Sequence, residues 1–181
     1  MGRPMEQGSA EPEAPAGGPP VRLPDLCGDF QMRIDRNGTW YYRGSPIGRA
    51  ALVKLFSTVL HKDADGGHWL TTPVENGRIE VEDAAFIAVE MTAEGAGRDQ
   101  VIRFRTNVDD IVTLDATHTL RITEAEDGEP RPYIHVRKGL EARLARPVFY
   151  HLIERGEPDA AHPGRFGVWS AGQFFPLGPV A

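Results

Sequence analysis

Residues 35–49 read Asp-Arg-Asn-Gly-Thr-Trp-Tyr-Tyr-Arg-Gly-Ser-Pro-Ile-Gly-Arg, and the architecture is argued outward from them. Ahead of this stretch Phe30, Met32 and Ile34 alternate with polar residues, which is the period of a half-buried strand. Asn37-Gly38 offers the positive φ angles of a type I′ turn, and Trp40 and Tyr42 continue the alternation on the returning strand. Arg43-Gly44-Ser45-Pro46 marks a second turn. Ala51, Leu52, Leu55, Phe56, Val59 and Leu60 then recur at helical spacing and predict an amphipathic helix over roughly 48–61. A related element closes the chain. Gly167-Val-Trp169 and Pro176-Leu177-Gly178 frame a hairpin turning at Ala171-Gly172, as Gly38-Thr-Trp40 and Pro46-Ile47-Gly48 frame one around Gly44. The helix follows the hairpin at one end and precedes it at the other, so a plain tandem repeat does not fit.

Between these ends, turn signals divide a series of short strands. Trp69–Thr72, Arg78–Val81 and Ala85–Met91 suit a first antiparallel sheet, and Val101–Thr106, Ile111–Leu114, Leu120–Thr123 and Tyr133–Val136 a second. Glu94–Asp99, with Gly95 and Gly97, is the expected boundary. Leu140, Leu144, Val148 and Leu152 describe one helical face, broken by Pro147, so a kink or two short helices are expected over 139–154. Residues 1–24 are rich in Pro, Gly, Ala and Glu and are expected to form a disordered tail. The reading is therefore an α+β chain of two small lobes built from related β-hairpin, helix and antiparallel-sheet motifs. Its divisions are 1–24 (tail), 25–94 (N-terminal lobe) and 95–181 (C-terminal lobe).

Composition narrows the functional classes. Of 181 residues 40% are hydrophobic and 25% charged, the balance of an ordinary globular protein. No apolar run is long enough to cross a bilayer, so no membrane partner is expected. The single cysteine, Cys27, excludes an intramolecular disulfide, and without an apolar leader the expected location is the cytoplasm. A net charge of -6 argues against nucleic acid as a partner, because phosphate binding rests on clustered Lys and Arg. Yet the charge is uneven: residues 109–129 carry a net -6, and residues 131–146 a net +4.

His61, Asp63, Asp65 and His68 form the one group with metal-ligand spacing, but an Asp- and Gly-rich turn explains it locally, and no metal or other cofactor is expected. Cys27 lacks a neighbouring base, and His151 with Glu154, three apart on the last helix, lies beside Leu144, Val148 and Leu152, where a partly buried structural histidine is expected. Nucleophile-elbow, phosphate-loop and dinucleotide motifs are missing, so no catalytic residue is assigned and a non-enzyme is favoured. Arg137, Lys138, Arg143 and Arg146 are the strongest polar signal, since the guanidinium fork suits a carboxylate or phosphate. Arg143 and Arg146, three apart on the expected helix, should project together. The competing expectation is that these bases neutralise Glu75, Asp109 or Asp110. Tyr41 lies on the opposite face from Trp40 and Tyr42, which alternation assigns to the core.

The 35–49 stretch, with Leu52-Val-Lys-Leu-Phe56, Thr72-Pro-Val-Glu75, Thr106-Asn107, Pro132-Tyr133, Val136-Arg137 and Gly167-Val-Trp-Ser170, resembles the bacterial domain-of-unknown-function family 1285. The resemblance runs from about residue 30 to the C-terminus. It implies duplicated structural motifs, a C-terminal lobe loosely like pleckstrin-homology sheets, and a role in ligand binding or signal transduction. The leading expectation is a non-enzymatic binding or regulatory module holding an acidic small molecule or protein segment in the inter-lobe cleft. Its candidate residues are Arg49, Tyr41, Glu75, Asn107, Tyr133, Arg137, Arg143 and Arg146. The alternatives are a metal-assisted hydrolase using His61–His68 and, more weakly, nucleic-acid binding through residues 131–146.

Overall fold

The computed structural model describes residues 27–179, so the tail expected over 1–24 lies outside the described residues. The first lobe comprises β1 (Cys27–Ile34), β2 (Trp40–Tyr42), β3 (Ser45–Pro46), α1 (Ala50–Val59), β4 (Leu60–Lys62), β5 (His68–Thr71) and β6 (Asn76–Val81). Its sheet runs β3-β2-β1-β6-β5-β4, with β1 and β6 parallel. The second lobe comprises β7 (Phe86–Glu94), β8 (Val101–Thr106), β9 (Ile111–Thr113), β10 (Leu120–Glu124), β11 (Pro130–Arg137), β12 (Leu140–Leu144) and α2 (Arg146–Glu154). Its sheet runs β10-β11-β12-β7-β8-β9, with β12 and β7 parallel.

These two sheets share one topology. In each, a three-stranded meander runs outward from the centre, a second runs back inward, and the last strand lies parallel to the first. Only the helix differs in place, following the third strand in the first lobe and the sixth in the second. The duplicated unit is thus the six-stranded sheet. The Trp hairpins are not equivalent, because β14 (Arg165–Ser170) and β15 (Gln173–Pro179) join β13 (Glu157–Pro158) in a separate three-stranded sheet. Trp40 is 1% exposed in the core, while Trp169 is half-buried beneath the Arg98 guanidinium.

Three local expectations are corrected. Asn37-Gly38 is not a type I′ turn: Gly38 alone has positive φ, and Asp35 Oδ1 accepts the Asn37 and Thr39 amides at 2.9 Å each. That carboxylate holds the intervening residues in a longer loop. Type I′ angles occur instead at Arg43-Gly44, Lys138-Gly139 and Ala171-Gly172. The joint between sheets falls between Val81 and Phe86, ahead of the expected Glu94–Asp99 segment, because β7 pairs with β8 and β12. Finally, residues 140–144 form a strand with Leu140, Ala142 and Leu144 facing inward, and the helix begins only at Arg146, with Pro147 in its first turn.

One continuous core joins the lobes, from Met32, Ile34 and Trp40 through Phe86, Phe104 and Ile134 to Leu152, Val168 and Phe175. The C-terminal hairpin is attached through Ser170, whose buried hydroxyl donates to Leu114 O at 2.6 Å and accepts the Ile102 amide at 3.0 Å. Gly167 permits the close approach of β15, since a Cβ there would collide with the Phe175 carbonyl. No helix among the described residues is long and apolar enough to cross a membrane.

Candidate functional site

Side chains of both lobes converge at the inter-sheet joint on a cleft of ≈ 470 Å³. Arg36 and Asn37 reach it from the β1–β2 loop, Glu82 and Asp83 from the link between sheets, and Arg131 and Arg143 from β11 and β12. α2 adds Arg146 and, as an apolar wall, Phe149 and Ile153. Four guanidinium groups therefore border one concave site.

Their partners differ. Arg143 anchors the joint: its Nη2 donates to the Arg36 carbonyl at 2.7 Å, and its Nε lies 2.8 Å from Asp83 Oδ2. The Nε–H lies off the line to that carboxylate, so the contact is a close ion pair and not a well-aligned hydrogen bond. Tyr133 donates its hydroxyl to Asp83 Oδ1 at 2.7 Å, and burial, then the Asp83 carboxylate, push its phenol above the ordinary value. Arg146 pairs with Glu129 at 3.2 Å and donates through Nε to the Tyr150 hydroxyl at 2.8 Å. Arg36 stands 3.7 Å from Glu82, which Arg33 also engages. Arg131 is exposed and has no acidic partner among the described residues.

Of the expected site residues, Tyr133, Arg143 and Arg146 are gathered around this cleft, although Arg143 lies on β12 and not on a helix with Arg146. The other five serve elsewhere. Arg137 is committed within the fold, donating to Asp110 Oδ2 and, at 3.0 Å, to the Ser57 carbonyl of α1. Asn107 ties the lobes together, accepting the Ile87 amide at 3.0 Å and donating to the Gly38 carbonyl at 3.3 Å. A Cβ on Gly38 would lie 2.7 Å from that amide nitrogen, which is why glycine occupies the loop. Tyr41 stacks under Arg33 at 4.3 Å and donates to Asp35 at 3.4 Å. Glu75 closes the Thr72–Glu75 turn through its backbone, and Arg49 is exposed at the start of α1.

The remaining motifs resolve locally. Asp63 spends both oxygens on its own turn, accepting the Gly67 amide at 2.7 Å and Trp69 Nε1 at 2.6 Å. Those bonds, the indole's first, hold its carboxyl below the ordinary range. Among the described residues no three His, Cys, Asp or Glu side chains are grouped to hold a metal. His151 and Glu154 are both exposed on α2. The acidic and basic blocks partly cancel, through Arg137–Asp110 and Arg146–Glu129.

Arg36 and Arg131 were not singled out from the sequence. Arg131 belongs to the basic block, where nothing local distinguishes it from its paired neighbours, and Arg36 carries no signal of its own beside the Asn37-Gly38 turn.

The fold and site define a class: a two-lobe α+β protein of two topologically duplicated sheets, with an arginine-bordered cleft at their joint. The chain belongs to the DUF1285 family. Its N-terminal domain (domain of unknown function) matches residues 19–84, and its C-terminal domain (protein of unknown function) matches residues 85–177. The crystal structure of a DUF1285 family protein from Silicibacter pomeroyi DSS-3 is similar at 45% identity and a TM-score of 0.81, covering 92% of this chain and 91% of that one. A DUF1285 family protein from Shewanella baltica OS155 is similar at 26% identity and a TM-score of 0.53, covering 68% of this chain and 91% of that one. None of the curated proteins matches the chain.

Proposed function

We propose that the protein is a non-enzymatic ligand-binding module that captures a small carboxylate- or phosphate-bearing molecule in the inter-sheet cleft. The observation that carries this reading is the convergence of four guanidinium groups on one concave site, with Arg131 unpaired among the described residues. Guanidinium forks match carboxylate and phosphate oxygens bidentately, and a cleft of ≈ 470 Å³ has the size of a small-molecule site. Phe149 and Ile153 would pack the ligand's apolar part. A ligand bridging Arg36 of the first lobe and Arg131 of the second would stiffen the joint, and a regulatory role would act through that stiffening.

The test is a thermal-shift screen of the full chain and of Arg131→Glu against inorganic phosphate, citrate and nucleoside mono- to triphosphates. A ligand present at a hundredfold its dissociation constant contributes about 2.7 kcal/mol, which raises Tm by roughly 5–10 °C for a domain of this size. The expected result is a shift in the wild type that falls by at least half in Arg131→Glu. A shift of equal size in both, or none with any anion, contradicts the reading.

A further inference from the structure

A second cavity, of ≈ 520 Å³, lies between α1 and the first sheet. Phe30, Leu52, Phe56, Val59 and Leu70 wall it, so its lining is chiefly hydrophobic. The charged groups among its lining are Asp29, Arg43 and Glu75. Apolar surface of this extent gains free energy when something excludes water from it.

We propose that the occupant is the chain's own segment Val21–Leu26, Val-Arg-Leu-Pro-Asp-Leu, docked with Leu23 and Leu26 against these walls. The position of the chain supports this first. β1 begins at Cys27, which pairs with Asn76, and the neighbouring Glu75 lines the cavity. The preceding residues thus start at the cavity's rim. Reach is ample, because six extended residues span about 20 Å. Composition agrees: between Glu6 and Leu26, Val21, Leu23 and Leu26 are the only large apolar residues. Charge is complementary in both signs, with Arg22 available to Asp29 or Glu75 and Asp25 to Arg43, which has no acidic partner among the described residues. Pro24 restricts the unbound segment and so lowers the entropy lost on docking. The family's N-terminal domain also takes in this segment, since its match begins at residue 19.

The experiment is ¹⁵N relaxation on the full chain, read at the amides of Val21, Arg22, Leu23, Asp25 and Leu26. Docking predicts order parameters of about 0.8 there, falling below about 0.6 in the double substitution Leu23→Asp/Leu26→Asp. That double variant changes none of the residues that line the cavity. Leu52→Trp, which fills the cavity from α1, predicts the same fall with the tail sequence unchanged. Wild-type values below about 0.6 overturn the proposal and leave the cavity to another ligand. So does an ordered segment that stays ordered in either variant.

Discussion

Arg137 donates to the Asp110 carboxylate and the Ser57 carbonyl, and its guanidinium lies 5.0 Å from the Phe86 ring centroid. These contacts make it a structural residue. Arg137→Ala would leave Asp110 and the Ser57 carbonyl without this donor, at a cost of about 2 kcal/mol. The expected outcome is a lower urea midpoint with any thermal response to cleft anions retained; an unchanged midpoint would contradict the role. His68 offers a second check. Burial, then Lys62, lowers its pKa from the ordinary 6.5, while Asp63 opposes this. A lowered pKa means the folded state prefers the neutral ring. The unfolded chain therefore binds more protons in the window below 6.5, and stability is lost as pH falls from 6.5 towards the folded value. His68→Gln should flatten that loss in denaturation series at successive pH values. An identical pH slope would rule it out.

At the scale of elements, the instructive case is β12. Leu140 and Leu144 are four residues apart, and a spacing of four serves a helical face and a strand face equally, since four is also a multiple of two. Ala142 decides between them. In the strand it sits at 0% exposure, opposite Ile134 on one side and Phe86 on the other. On a helix it would face away from Leu140. Ala142→Lys is therefore expected to cost more than about 4 kcal/mol and prevent folding of the second sheet, judged by loss of cooperative unfolding. Tolerance of the lysine would contradict the strand. Most other elements were legible, because Phe30–Ile34 and Val101–Thr106 carry clear alternation and Ala171-Gly172 marks the turn of the closing hairpin. Trp169 was not. It stands two residues before its type I′ turn whereas Trp40 stands three before, and a shift of one residue reverses the face.

For the whole molecule, duplication of the six-stranded sheet places the joint, and with it the cleft, where the parallel β12–β7 pair meets the first lobe's loop. The two-lobe organisation was legible from repeated strand and turn signals. The site was only partly so: Tyr133, Arg143 and Arg146 were named, but Arg36 and Asp83 come from other parts of the chain and meet them only in three dimensions. Arg137 and Asn107 looked the same in sequence and proved to be ties within the fold. The account's central claim is that an anion binds between Arg36 and Arg131. A crystal structure of the full chain with the strongest anion from the thermal screen tests it most directly. The account predicts anion density within hydrogen-bonding distance of both guanidinium groups; an empty cleft, or an anion held elsewhere, would contradict it.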